Sequence, residues 1–192
     1  LETSVIPAYQ AFFGISQGGY AVGAFTNQLA PGDDYDATPG NVIHQDTYDT
    51  PAYDGTILNA WKDFFSGVYA ANLAIEKITE FSGKIDIDVK NRMLGEAYFL
   101  RGLHYMHLCL LFGETIPLYE NSVQETSDYY KGNATPGEIY SLIVSDFIKA
   151  SELLPLRSVL YSEPSCIGRA TKGSALGYLA RTCLTRPILE QG

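Results

Sequence analysis

The chain has 192 residues, 46% of them hydrophobic and 18% charged, which suits one globular domain or a large piece of one and is too apolar for a disordered chain. A net charge of −9 argues against a nucleic-acid partner. Three widely spaced cysteines give neither a disulfide framework nor a zinc spacing, and no apolar run approaches the roughly 20 residues a membrane-spanning helix needs.

Apolar residues at Val5, Tyr9, Phe12 and Phe13 have helical spacing, which predicts a helix over 4–13 before Gly14, Gly18 and Gly19 interrupt it. Tyr20, Ala24, Phe25 and Leu29 suggest a second short helix. Residues 1–61 hold seven acids and no Lys or Arg, and six of those acids fall in 33–54. Residues 31–55 therefore read as a long acidic loop, rich in tyrosine and punctuated by Pro31-Gly32, Pro39-Gly40 and Pro51. A loop of this length has a binding role or is simply a solvated surface.

The clearest helix is predicted over 56–81. Its stripe runs Trp61, Phe65, Val68, Asn72, Ile75, and Ser82-Gly83 ends it. Asn72 stands where an apolar residue is expected, so its amide must tie to a neighbouring helix or loop backbone. A further helix over 88–112, with Gly113 as its cap, is apolar nearly all round and therefore central. Arg101 in its middle needs a carboxylate or carbonyl partner. Asn72 and Arg101 are accordingly assigned to a structural polar core. Thr135-Pro136-Gly137-Glu138 has the form of a capping box, with Thr135 as N-cap and Glu138 reaching back to it. The helix it starts carries Ile139, Ile143, Phe147, Ala150 and Leu154, and stops at Pro155. A last helix is predicted over 171–185, with Gly173, Gly177 and Ala180 as a close-packing face and Arg186-Pro187 as its end.

No run alternates as a strand does. Paired helices around one buried helix predict an all-α fold of stacked helical hairpins, tetratricopeptide-like, with long irregular loops.

Little of this is catalytic. His104 and His107 are three apart on one helix, but no acid or cysteine completes a metal shell, so they read as core histidines. Asp33, Asp34 and Asp36 could contribute to a calcium site, yet they lack the glycine and distal glutamate of a calcium loop; no cofactor is expected beyond that weak signal. No phosphate loop, nucleophile elbow or Cys/His pair is present. The pattern favours a binding protein over an enzyme. Tyrosine rings stack on the C–H faces of sugars while aspartates accept from hydroxyls, so the acidic loop suits a neutral glycan, and it could equally face a protein partner.

Four segments then become familiar. They are Trp61 to Tyr69 followed by Ala71-Asn72-Leu73-Ala74-Ile75-Glu76-Lys77-Ile78; Gly95-Glu96-Ala97-Tyr98-Phe99-Leu100-Arg101-Gly102-Leu103-His104-Tyr105, continuing to Leu111-Phe112-Gly113-Glu114-Thr115-Ile116-Pro117-Leu118; Thr135-Pro136-Gly137-Glu138-Ile139-Tyr140 with Leu154-Pro155; and Gly168-Arg169-Ala170-Thr171-Lys172-Gly173 with Leu179-Ala180-Arg181. In this order and spacing they resemble the SusD/RagB-like outer-membrane glycan-binding lipoproteins of Bacteroidetes.

The resemblance implies a cell-surface protein that binds an oligosaccharide or starch-like polysaccharide. It would assist uptake through a SusC-like TonB-dependent transporter. The full-length precursor would be lipid-anchored, with its anchor cysteine absent from this chain, and residues 1–192 would form the N-terminal part of a larger protein. Within the acidic loop Tyr35, Tyr48, Asp49, Tyr53 and Asp54 are the candidate ligand-binding residues. Trp61, on the helix stripe, is assigned to the core. The alternative is a helical-repeat scaffold for protein–protein interaction. A glycan hydrolase ranks last, because no facing acid–base pair of carboxylates is recognisable.

Overall fold

The computed structural model describes residues 2–13, 49, 51, 54–123, 125 and 130–189, without the side chains of Glu2, Phe13 and 186–189. The helix predicted at 20–29 and most of the 31–55 loop, including Asp33, Asp34, Asp36, Tyr35, Tyr48 and Tyr53, lie outside them. The described residues form α-helices, with a single β-bridge between Pro117 and Asn133 as the lone extended pairing among them.

The first helix is shorter than predicted. Helix α1 spans Ile6–Gln10, between 3-10 turns at Glu2–Val5 and Ala11–Phe13. Helix α2 spans Gly55–Glu80. Its N-cap is Asp54, whose carboxylate accepts from the N–H of Thr56 at 2.7 Å and of Ile57 at 3.4 Å. Helix α3 spans Ile87–Phe112, capped in the same way by Asp86. It stops at Gly113, whose φ of 78° lies in the left-handed region that glycine tolerates. Helix α4 spans Glu138–Leu153, α5 Arg157–Leu160 and α6 Lys172–Leu189.

Two further boundaries differ from the sequence reading. Glu138 does accept from the Thr135 N–H at 2.7 Å, as a capping box requires. The helix nevertheless starts at Glu138, because Pro136-Gly137 form a turn and Gly137 takes a left-handed φ of 89° as N-cap. Helix α6 also runs through Arg186-Pro187 to Leu189 instead of ending there. A proline removes one backbone hydrogen bond, and that alone did not stop the helix.

The helices pack in a stack: α1 on α2, α2 on α3, α3 on α4, and α4 on α6. Helix α3 is buried all round from Met93 to Cys109, with the exception of Leu94 and Tyr98. Its neighbours fill the core with Phe64, Val68, Ala71 and Ile78 from α2 and Ile139, Ile143, Phe147 and Ala150 from α4. The face of α6 that meets α4 is not the small-residue face. Ala175 and Thr182 are fully buried, and the Tyr178 ring packs 5.6 Å from Phe99 and 5.9 Å from Phe147. Gly173, Gly177 and Ala180 lie on the exposed side.

The N-terminal segment docks over the two histidines of α3. His104 stacks on Phe12 at 4.1 Å, and its Nε2 sits 2.9 Å from the Ala8 carbonyl, so that nitrogen carries the proton and donates. His107 stacks on Phe64 at 5.4 Å. Burial pushes the His104 pKa down to about 3 and that of His107 down to about 4. The structure thus puts both in the core. Among the described residues no cluster of His, Cys, Asp and Glu could hold a metal.

Two predictions follow from the packing around α3. A Cβ at Gly67 would lie 2.2 Å from the His104 ring. Replacing a mid-helix glycine by alanine ordinarily gains about 1 kcal/mol, while overpacking a core costs about 1–3 kcal/mol. Gly67→Ala is therefore expected to lower the urea midpoint; a raised midpoint would show that the ring can move aside. The second concerns pH. Both histidines are held neutral in the fold and titrate near the ordinary 6.5 when unfolded. The unfolded chain thus takes up protons first, and stability present above pH 6.5 is lost as pH falls toward 4. Each histidine contributes a slope of up to about 1.4 kcal/mol per pH unit, and an unchanged denaturation midpoint between pH 7 and 5 would contradict it.

Candidate functional site

Between α3 and α4 the chain makes a strap, 116–123, that is neither helix nor sheet. Buried backbone groups need partners, and here side chains from the helices supply most of them. The Tyr119 N–H donates to the Tyr105 hydroxyl oxygen at 2.6 Å. The Asn72 amide donates to the carbonyls of Tyr119 at 2.9 Å and Asn121 at 3.0 Å. The Ser122 N–H and hydroxyl donate to the two oxygens of Glu76 at 2.7 and 2.5 Å. From outside, Lys131 donates to the Leu118 carbonyl at 2.9 Å, and the Ala134 N–H to that of Ile116 at 2.9 Å.

Arg101 joins the strap to the core. Its Nε and Nη2 donate to the two Asp146 oxygens, each at 2.7 Å. Its Nη1 donates to the Asn72 side-chain oxygen and to the Glu120 carbonyl, each at 2.8 Å. One guanidinium therefore binds α2, α4 and the strap through the planar fork that arginine alone provides. Burial by itself would lower the Arg101 pKa, and the Asp146 carboxylate more than reverses that. Asn72 and Arg101, singled out in the sequence as buried polar residues, bond directly to each other.

The strap forms one wall of a cleft of about 400 Å3. The other wall is the outer edge of α2, where Trp61, Phe65 and Tyr69 follow one another at one-turn spacing. Pro117, Tyr119, Asn121 and Val123 project from the strap. The Trp61 ring packs 4.6 Å from Phe65 and edge-on to Phe112 at 5.0 Å. Phe65 meets Tyr119 edge-on at 5.9 Å. Tyr69 is 43% exposed, so its ring is available to a ligand. Asn121, Ser66 and Lys62 add polar groups to this apolar lining, while the Asn72 amide is taken up by the strap and Arg101. The cleft thus offers aromatic rings beside a few hydrogen-bonding groups, the usual make-up of a small-ligand site.

Tyr35, Tyr48 and Tyr53 lie outside the described residues. Asp49 is exposed and does not line the cleft, and the Asp54 carboxylate is occupied in capping α2. Trp61, assigned to the core, is half-buried and also borders the cleft. The sequence reading did not single out Tyr69 or Tyr119 as site residues. The spacing Trp61, Phe65, Tyr69 was a usable signal for one wall. Nothing periodic marks Tyr119.

Known proteins share this architecture. Residues 24–184 match the family profile named SusD-like and described as starch-binding, associating with the outer membrane. A SusD-like protein of Bacteroides ovatus is 27% identical over 81% of this chain, and one of Formosa agariphila 32% identical over 69%. The chain spans only 27% and 25% of the length of those two relatives. Among solved structures, a laminarin-binding SusD-like protein superposes with a TM-score of 0.78 at 23% identity, covering 96% of this chain and 39% of that one. Surface glycan-binding protein A from Bacteroides uniformis gives 0.80 at 18% identity, covering 97% and 41%. A SusD superfamily protein from Bacteroides vulgatus gives 0.83 at 21%, covering 97% and 40%. These likenesses show the fold.

Asp146→Asn keeps the volume of the Arg101 partner and removes its charge. A buried ion left without its counterpart costs about 3–5 kcal/mol. The variant should lose stability on that scale, and the Tyr119 and Ser122 amides should exchange with solvent faster. Parental stability in Asp146→Asn would show that Arg101 does not depend on the pair.

Proposed function

Because the chain belongs to the SusD-like family, we propose that it binds an oligosaccharide at the outer face of the outer membrane and assists uptake through a TonB-dependent transporter of the SusC type. On this reading the protein binds and does not catalyse, and its full-length precursor carries a lipid anchor. The observation that carries the proposal is the aromatic cleft beside a strap fixed by side chains of α2 and α3. A sugar ring presents apolar C–H faces and hydroxyl edges. Trp61, Tyr69 and Tyr119 offer surfaces for the faces, and Asn121, Ser66 and Lys62 offer groups for the edges. Because the strap is held before any ligand arrives, little ordering entropy is lost on binding.

The acidic loop extends the proposal. Tyr35, Tyr48, Asp49 and Tyr53 would add contacts from 31–55, and the acid excess there favours a neutral glycan over an anionic one. Calcium at Asp33, Asp34 and Asp36 is not needed for this reading. The alternative, a scaffold for protein–protein interaction, draws on one observation: Leu176 and Leu184 are 47% and 72% exposed on α6, beside Gly173 and Gly177.

The test is binding to a panel of neutral oligosaccharides by calorimetry, with Tyr69→Ala, Tyr48→Ala and Tyr53→Ala beside the parent. An aromatic contact worth about 0.5–1.5 kcal/mol corresponds to a roughly two- to twelve-fold loss of affinity. Tyr69→Ala should show that loss at unchanged thermal stability, since the residue is well exposed. Undiminished binding in Tyr69→Ala removes the cleft from the site. Failure of the whole panel, with capture of a protein partner by the α6 face, favours the scaffold.

A further inference from the structure

The strap has two sides. Pro117, Tyr119, Asn121 and Val123 line the aromatic cleft, while Leu118, Glu120 and again Asn121 line another. This second cleft measures about 840 Å3, roughly twice the first. Both volumes fall in the range of about 300–1,000 Å3 common for ligand sites.

The second cleft differs in chemistry. Tyr98, Glu120, Glu138, Ser141, Ser145 and Lys149 give it a wall of hydrogen-bonding groups. Its charge balance excludes one class of ligand. The Arg101 guanidinium at its base is neutralised by Asp146. Among the described residues of the lining, Lys149, whose ammonium lies 5.0 Å from the centre of the Tyr98 ring, is the other cation, and Glu120 and Glu138 line the same cleft. An anionic ligand would meet a surplus of negative charge. A neutral polyol would meet donors and acceptors of both kinds.

The two clefts are physically joined. Asn121 borders both. Asn72 on the wall of the first accepts a hydrogen bond from Arg101 on the wall of the second. The same buried contact therefore fixes both walls, and the clefts hold a constant spacing across the strap.

We infer that the polar cleft is a second subsite for the same neutral oligosaccharide, so that the protein recognises a glycan long enough to cross the strap at Asn121. The inference rests on the glycan reading above and adds to it a length requirement and a neutral substrate class. The aromatic cleft holds sugar faces, and the polar cleft reads the hydroxyls of the units beyond the strap. Two linked subsites raise affinity through effective concentration, which a shorter chain cannot exploit.

The experiment compares trisaccharides and hexasaccharides of the xylo, malto, laminari and manno series by calorimetry. The parent, Tyr69→Ala, Ser145→Trp and Lys149→Ala are measured side by side, and thermal melts confirm that each variant is folded. Ser145→Trp fills the polar cleft, and Lys149→Ala, at an exposed position, serves if the bulky variant does not fold. In the parent the hexasaccharide of the recognised series should bind roughly tenfold tighter than the trisaccharide. Ser145→Trp and Lys149→Ala should bring that ratio close to one, whereas Tyr69→Ala should weaken both ligands. A parental ratio of one, or a ratio unchanged in both polar-cleft variants while Tyr69→Ala still weakens binding, overturns the second subsite and leaves the glycan reading standing. No binding by any member of the four series overturns both.

Discussion

The fold turns on one buried guanidinium. Arg101 sits in the middle of the central helix, only 5% exposed, and uses Nε, Nη1 and Nη2 in four hydrogen bonds. Its partners come from three different segments: Asp146 on α4, Asn72 on α2 and the Glu120 carbonyl on the strap. Taking such a charge out of water is expensive, and replacing an ion pair by apolar groups is often no worse for stability alone. What apolar groups could not do is fix the strap. A leucine at 101 would fill the space and leave the Glu120 carbonyl without a donor, whereas the guanidinium fork sets the relative placement of all three segments at once.

The same solution recurs along the molecule. Glu96, fully buried on α3, pairs with Arg92 on its own helix and with Arg169 in the segment before α6, each at 2.9 Å. Tyr9 on α1 accepts from the Ala170 N–H at 2.9 Å, and burial followed by the nearby Glu96 charge raises its pKa. Helices meet helices mainly by apolar packing, which is non-directional and tolerant, to which the Arg101 bonds to Asp146 and Asn72 are added. Loops are held to helices by buried polar side chains, which are directional. On the central helix of an apolar core, Arg101 and Tyr105 thus hold the strap, Glu96 the segment before α6, and His104 the first helix.

The aromatic cleft is a consequence of this arrangement. Trp61, Phe65 and Tyr69 form one edge of α2 whichever way the rest of the chain folds. They become a wall only because the strap passes beside them at a fixed height, held by Asn72 and Tyr105. The polar cleft across the strap owes its position to the same bonds. The anchors that place the strap are thus separate from the side chains it presents to either cleft.

The long helices α2, α3, α4 and α6 were legible in the chain itself, because burial of a stripe every three to four residues is written locally; the short α5 at Arg157–Leu160 was not. The starts and ends of α2 and α3 were legible to within a residue. The sequence also identified Asn72 and Arg101 as buried polar groups needing partners, since a polar residue on an apolar face is a local anomaly. The tertiary structure decided who those partners are. Asp146 lies 45 residues from Arg101, and Tyr119 lies 47 from Asn72. No spacing rule connects positions so far apart. It also decided that Asp54 spends its carboxylate on a helix cap, that Trp61 is both core and cleft, and that the small-residue face of α6 points outward. Periodicity reports which side chains share a face of one element; which elements a face will meet depends on the whole chain closing on itself.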